Sequence, residues 1–177
     1  MERKMRRFTP MAFVAVLLAS ASAASAKSDS AFLTDAIQGN LGEIAVGQLA
    51  QQNGNSDAVR SFGQMLVQDH SASNEKAMQL AKSHDVSPPT EPKPEAKKRN
   101  DKLSKLSGDS FDKEFAKEMV EDHKKDIAEF ETQAKGSDDV ASFAKDSLPT
   151  LEKHLQTAQS INGDKAAQKQ LAERSRG

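Results

Sequence analysis

The chain has 177 residues, of which 36% are apolar and 29% charged, and its formal net charge is −1. This length favours a single domain, and the composition excludes a polytopic membrane protein and a fully disordered chain. The absence of cysteine excludes disulfides, thiolate nucleophiles, iron–sulfur clusters and cysteine-ligated zinc. Eight Phe but no Trp or Tyr leave a core of aliphatic residues, Met and Phe, a set that favours helices over sheets.

The first 26 residues have the three parts of a secretory signal peptide. Four basic residues lie within residues 1–7, an apolar stretch covers residues 11–18, and Ala24-Ser25-Ala26 fits a cleavage site before Lys27. The apolar stretch is well short of the roughly 20 residues that a spanning helix needs, which favours cleavage over an uncleaved anchor. We therefore expect an exported, periplasmic protein whose mature chain has 21 basic and 25 acidic residues. Its interspersed, mildly acidic charge argues against nucleic-acid binding, and no later segment is apolar enough to span a membrane.

Four long helices are predicted in the mature chain from apolar residues at helical spacing, and a short, very polar helix is predicted between the second and the third of them. They cover residues 30–53, 56–83, 96–106, 110–135 and 138–161, and the short helix is the third. We expect Ser56 or Asp57 to cap the second helix and Ser137 to cap the last. Gly108 should end the short helix, and Asp109 or Ser110 should then cap the next long one. Pro149 should kink the last helix near its middle.

The predicted fold is all-α, a ferritin-like antiparallel four-helix bundle over residues 27–162 with a short extra helix between the second and third long helices. Four prolines within residues 84–95 make that link stiff. Loop position leaves two topologies open, because the link can run along the bundle as a crossover or the short helix can pack across its end. Residues 163–177 have little to bury and are predicted to form a flexible tail.

Three histidines lie on three different long helices, each within the apolar stripe of its own helix, so each is expected to point towards the core. If the helices are antiparallel and of equal length, the imidazoles of His70, His123 and His154 fall within roughly 8 Å of one height along the bundle. Glu43 lies at the midpoint of the first helix, beside its apolar stripe, so its orientation stays open. His84 lies at a helix end and is expected to be solvated.

Two interpretations account for this histidine layer. In the first, His70, His123 and His154 bind one metal ion, with Glu43 as a fourth ligand, and the donor set suits Zn, Cu, Fe or Ni without distinguishing them. In the second, the imidazoles are structural and pair with nearby polar groups, for which the candidates are Asp69, Asp122, Ser73, Ser147 and Thr157. The basic run Lys97-Lys98-Arg99 is interpreted as a solvated face, with a docking patch for an anionic partner as the alternative.

Four segments resemble the DUF4142 family, exported ferritin-like bacterial proteins of unknown function that are often labelled outer membrane proteins. They are residues 32–49 (FLTDAIQGNLGEIAVGQL), 59–70 (VRSFGQMLVQDH), 115–130 (FAKEMVEDHKKDIAEF) and 148–158 (LPTLEKHLQTA). The resemblance implies a ferritin-like bundle and a periplasmic or outer-membrane-associated location, and it implies no established activity.

The sequence departs from the di-iron pattern of many ferritin-like bundles, which pair Glu-x-x-His motifs with single glutamates. Val67, Val120 and Leu151 stand three residues before the histidines, and none can bind metal. A ferroxidase or di-iron oxygenase is therefore disfavoured, and a non-enzymatic protein is favoured over an enzyme. Two functions stay open: an exported protein that binds one transition-metal ion, and an envelope module for stress tolerance or interaction whose histidines are structural.

Overall fold

The computed structural model describes residues 26–165, 168–169 and 173, and this part of the chain is all-α, as predicted. It contains five helices and no strand: α1 (Asp29–Asn53), α2 (Asp57–Ser83), α3 (Pro94–Leu103), α4 (Gly108–Gln133) and α5 (Asp139–Ile161). The predicted signal peptide lies outside the described residues except for Ala26, and so does most of the predicted tail; both stay predictions. No helix within the described residues combines the length and the apolar character needed to cross a membrane.

Polar side chains start three of the long helices, because a free helix N-terminus needs acceptors for its first N–H groups. Ser28 accepts from the Ala31 N–H at the start of α1, and Ser56 accepts from Val59 at the start of α2. Asp138 does the same at the start of α5, so the predicted cap at Ser137 is one residue early.

The prediction that Gly108 ends the short helix is wrong. The helix ends at Leu103, whose side chain is fully buried, and Leu106 packs against the same apolar cluster. The chain therefore turns inward before it reaches Gly108. That glycine instead opens α4, after the N-cap Ser107, with a φ of 59° that favours a residue without Cβ.

Contacts at the two ends of the bundle settle the topology that the sequence left open. At one end, the backbone N–H groups of Asn55 and Ser56, in the α1–α2 turn, donate to Asp112 in the first turn of α4. At the other end, His84 at the end of α2 pairs with Asp139 at the start of α5. Helices α2 and α4 therefore run in the same direction, and the link between them must traverse the bundle.

Helix α3 forms part of that crossover and lies along α1. Lys93 contacts Asp35 near the start of α1, and Arg99 contacts Glu43 at its middle. Leu103 reaches the apolar cluster at the opposite end of the bundle. The structure thus has the crossover connection rather than a helix packed across the bundle end. The ferritin-like assignment itself stays a prediction.

Two separate apolar clusters fill the bundle, one towards each end. One contains Val46, Ala50, Val59, Phe62, Leu66, Leu103, Phe111, Phe115, Met119 and Ala158. The other contains Phe32, Leu33, Ala36, Ile37, Ala77, Ala81, Val140, Phe143 and Ala144. Along the chain, the buried polar residues Asn40, Glu43, His70, His123 and His154 lie between the members of these clusters. The three histidines therefore occupy a polar layer between two apolar ones.

Candidate metal centre

Three histidines from three helices meet in this polar layer, as the sequence predicts. His70 on α2 is 5% exposed, and His123 on α4 and His154 on α5 are fully buried. Their ring centroids lie 5.2 to 5.9 Å apart. One nitrogen of each ring can be chosen so that the three atoms all lie within 4.8 Å of one another. The helical spacing of the histidines therefore produces a compact cluster of three imidazoles.

Each imidazole also has one nitrogen beside an acceptor outside the cluster. His70 Nδ1 lies 2.9 Å from Asn40 Oδ1, and His123 Nδ1 lies 3.0 Å from the carbonyl oxygen of Met119. His154 Nε2 lies 2.9 Å from Asp69 Oδ2. All three acceptors require a proton on the histidine nitrogen, so neutral rings carry their protons there. The remaining nitrogens, His70 Nε2, His123 Nε2 and His154 Nδ1, then present lone pairs.

The arrangement of these lone pairs is typical of histidines that bind metal. A metal-binding imidazole almost always donates its other N–H to a carboxylate, a carbonyl or a water, which fixes its tautomer. His123 Nε2 and His154 Nδ1 lie 3.3 Å apart. Two imidazole nitrogens on one tetrahedral ion, each about 2.0–2.1 Å from it, are separated by about 3.3–3.4 Å. Two lone pairs at this distance repel unless a cation lies between them.

The electrostatics of the layer keep the rings of His70 and His154 neutral. Burial lowers the pKa of His70 from 6.5 to about 3, although Glu43 partly opposes the shift. Burial also lowers the pKa of His154, and the neighbouring His123 adds to this effect, whereas Asp69 opposes it. A neutral imidazole is the form that binds metal, so at neutral pH both rings are ready to act as ligands.

Glu43 faces the layer, which resolves the orientation that the sequence left open. Its side chain is 4% exposed, and its Oε1 accepts a hydrogen bond from the Arg99 guanidinium at 3.2 Å. Its Oε2 is buried and has no hydrogen-bond partner among the residues that the structure describes. Burial acts to raise the pKa of this carboxyl, but the positive charges of protonated His123, of Arg99 and of protonated His70 and His154 together outweigh it, and the pKa is lowered. When the rings are neutral, Arg99 is the cation that remains beside Glu43. Glu43 is therefore an ionised carboxylate with one free oxygen, although it lies outside the group of atoms within 4.8 Å.

Negative charge predominates around the histidines. Glu43, Asp69 and Asp122 lie in or beside the layer, and Arg99 is the cation that pairs with both Glu43 and Asp122. Asp126 lies on α4, one turn after His123, and its pKa is raised to about 6 by burial and by repulsion from Glu43. This balance favours a positively charged occupant over an anion.

Of the polar partners that the structural interpretation names, one contacts a histidine of the layer. Asp69 pairs with His154, whereas Asp122 pairs with Arg99. Ser73 accepts from the Asn40 amide. Ser147 and Thr157 instead donate to carbonyl groups of their own helix.

Three groups around the layer were not predicted from the sequence. Asn40 and the Met119 carbonyl orient histidines, and Arg99 is the residue of its basic run whose side chain is only 11% exposed. Lys97 and Lys98 are exposed, as the solvated-face interpretation expects. The signal for Asn40 was available, because an amide three residues before Glu43 occupies an inward helical position.

His84 lies outside the layer, as expected from its place at a helix end. Its side chain is 27% exposed, and its Nε2 lies 2.9 Å from Asp139 Oδ1. It thus forms the same type of histidine–aspartate pair as His154 but takes no part in the cluster, which makes it a useful control.

Comparison with known proteins places the chain among proteins without an assigned activity. The profile of the DUF4142 family, described as a domain of unknown function, matches residues 15–161. The crystal structure of a DUF305 fragment from Deinococcus radiodurans is similar, with a TM-score of 0.63 and 14% sequence identity over 79% of this chain and 99% of that chain. At this identity the likeness shows the fold alone. No curated protein matches the chain.

Proposed function

The chain belongs to the DUF4142 family of unknown function, and we propose that it is an exported protein that binds one divalent transition-metal ion in its histidine layer. The ligands are His70, His123 and His154, and the free oxygen of Glu43 supplies a fourth donor. The observation that carries the proposal is the set of outward hydrogen bonds, because they turn one lone pair of each ring towards the others.

The chemistry of the donor set limits which metal ions can be bound. Imidazole nitrogens suit Zn, Cu, Fe and Ni, whereas Mg and Ca prefer sites made of oxygen ligands. The two apolar clusters on either side of the layer exclude water from much of its surroundings. Ferroxidase chemistry is not proposed, because the di-iron ligand pattern is missing from the sequence. Export is supported by the basic start, the apolar stretch and the Ala24-Ser25-Ala26 sequence of residues 1–26.

One observation favours the alternative of an envelope module with structural histidines. The 3.3 Å contact between His123 and His154 becomes a hydrogen bond if either ring carries its proton on the facing nitrogen. In that case Asp69 or the Met119 carbonyl loses the histidine N–H, and a lone pair of the ring faces that acceptor at 2.9–3.0 Å instead, which is unfavourable. The metal proposal needs no such loss.

Thermal unfolding of metal-free protein tests the proposal. A metal at about 100 times its Kd stabilises the native state by about 2.7 kcal/mol, which for a chain of this size raises Tm by roughly 5–10 °C. We expect this shift with one or more of Zn, Cu, Fe and Ni, and its loss in His123→Ala. The control His84→Ala should keep it. The proposal is contradicted if no metal raises the Tm of the parent protein. It is also contradicted if the rise in Tm is lost in His84→Ala but kept in His123→Ala.

A further inference from the structure

A cleft of about 910 Å³ opens beside the histidine layer and is lined by residues of all five helices. This volume lies in the range of about 300–1,000 Å³ that is typical of small-molecule sites. Ten carboxylate side chains line the cleft, against four from Lys and Arg. This surface repels an organic anion and favours a cationic ligand.

Two lysine side chains of the protein show how carboxylates of the cleft lining bind an alkylammonium group. Lys27 Nζ contacts Asp35 on α1 and lies 2.7 Å from Glu129 on α4. Lys93 Nζ binds the other oxygen of Asp35 at 2.6 Å. Carboxylates of α1 and α4 therefore bind one primary ammonium group between them.

Other carboxylates of the cleft have no cation. Asp126 on α4 and Asp146 on α5 form no ion pair within 4 Å in the described residues, in contrast to Asp35 and Glu129. Glu43 provides an independent sign of a missing ligand, because its 4% exposed side chain lines the cleft and its Oε2 has no partner. The cleft therefore retains binding capacity for more positive charge than the described residues supply.

The apolar part of the lining indicates the shape of the ligand. Phe130, Phe143 and Leu151 line the cleft and offer apolar surface to the methylene groups of an alkylammonium ligand. A hydrated inorganic dication would make no use of these side chains.

We propose that the cleft binds a linear alkyl diamine or polyamine, with successive ammonium groups on the free carboxylates of α1, α4 and α5. This proposal goes beyond metal binding, and because Glu43 Oε2 is also the proposed fourth metal donor, it is stated for the metal-free protein. The ligand bridges the helix pair α1–α2 to the pair α4–α5, so its binding also stabilises the bundle.

Calorimetric titration of EDTA-treated full-length protein tests this proposal with butylamine, putrescine and spermidine at one fixed ionic strength. We expect one spermidine per chain and an affinity that rises about tenfold or more from butylamine to spermidine, because each added ammonium gains a charged hydrogen bond. The double variant Asp126→Asn/Asp146→Asn should weaken spermidine binding about tenfold. The control Asp101→Asn/Glu121→Gln changes net charge equally at exposed sites outside the cleft and should bind as the parent does.

Three results would overturn the proposal: no saturable binding of spermidine, equal affinities for butylamine and spermidine, or equal losses in the two double variants. The last result would show a general charge effect. Because the protein is free of metal, a histidine layer that fails to bind metal leaves these outcomes unchanged. Thermal unfolding of both variants confirms that they fold.

Discussion

Replacement of Asp69 by asparagine should weaken metal binding without any loss of a metal ligand. The Asp69 carboxylate accepts from His154 Nε2–H at 2.9 Å and thereby turns the Nδ1 lone pair towards the other two rings. Loss of such a supporting group typically costs 10–100-fold in metal affinity. Asp69 is 28% exposed, and solvent screens its charge, so we expect the lower end, about tenfold or 1.4 kcal/mol.

A competition titration of Zn²⁺ against a chromophoric chelator measures this change. The matched control is Asp139→Asn, which removes the carboxylate of the His84 pair, a contact of the same length outside the layer. It should leave the Kd unchanged, whereas His154→Ala should weaken binding by more than Asp69→Asn does. Unchanged affinity in Asp69→Asn, together with a large loss in His154→Ala, would refute the tautomer argument.

Three further predictions concern stability. Burial holds the pKa of His70 near 3 and also lowers the pKa of His154, so the unfolded chain takes up these protons before the folded chain does as the pH falls below 6.5. In urea titrations of metal-free protein, the free energy of unfolding should therefore fall from pH 6.5 towards pH 3. His70 should contribute up to about 1.4 kcal/mol per pH unit to this fall. The pKa of Asp126 is raised from 3.8 to about 6, so the unfolded chain loses this proton first, and the stability lost by ionisation builds up between these pH values. Asp126→Asn should therefore stabilise the protein by about 1–2 kcal/mol at pH 7.5 and by much less at pH 4. In Gly63→Ala the new Cβ would lie 2.6 Å from a backbone oxygen of α1, and we expect the free energy of unfolding to fall by about 1–3 kcal/mol. In the control Gly39→Ala the new Cβ meets nothing within 4 Å, and the free energy of unfolding should rise by about 0.5–1 kcal/mol. Equal effects of the two substitutions would contradict the close contact between the helices.

The helices and the histidine layer were predictable because both follow from local spacing. Apolar residues at period 3.6 define the long helices, and the same geometry places His70, His123 and His154 on inward faces. Antiparallel packing then brings residues near helix midpoints to one height. The three rings needed no information beyond these rules, so their meeting in the structure confirms the expectation.

The crossover and its consequences were not predictable, because they depend on tertiary contacts of a short polar helix. Nothing local distinguishes Arg99 from Lys97 and Lys98, and only the course of α3 along α1 turns it towards Glu43. Leu103 likewise ends α3 early because it packs into a distant cluster. The role of the Met119 carbonyl could not be predicted from side-chain types, because this acceptor belongs to the backbone.

Elemental analysis of the mature protein, residues 27–177, tests the central claim most directly. The protein is purified without an affinity tag, loaded in turn with Zn, Cu, Fe, Mn and Ni, and freed of excess metal. We predict about one equivalent of a transition metal per chain, its loss in each of His70→Ala, His123→Ala and His154→Ala, and its retention in His84→Ala. A folded parent protein that retains no metal, or three folded variants that retain as much as the parent, would contradict the metal site and leave the histidines as a structural layer.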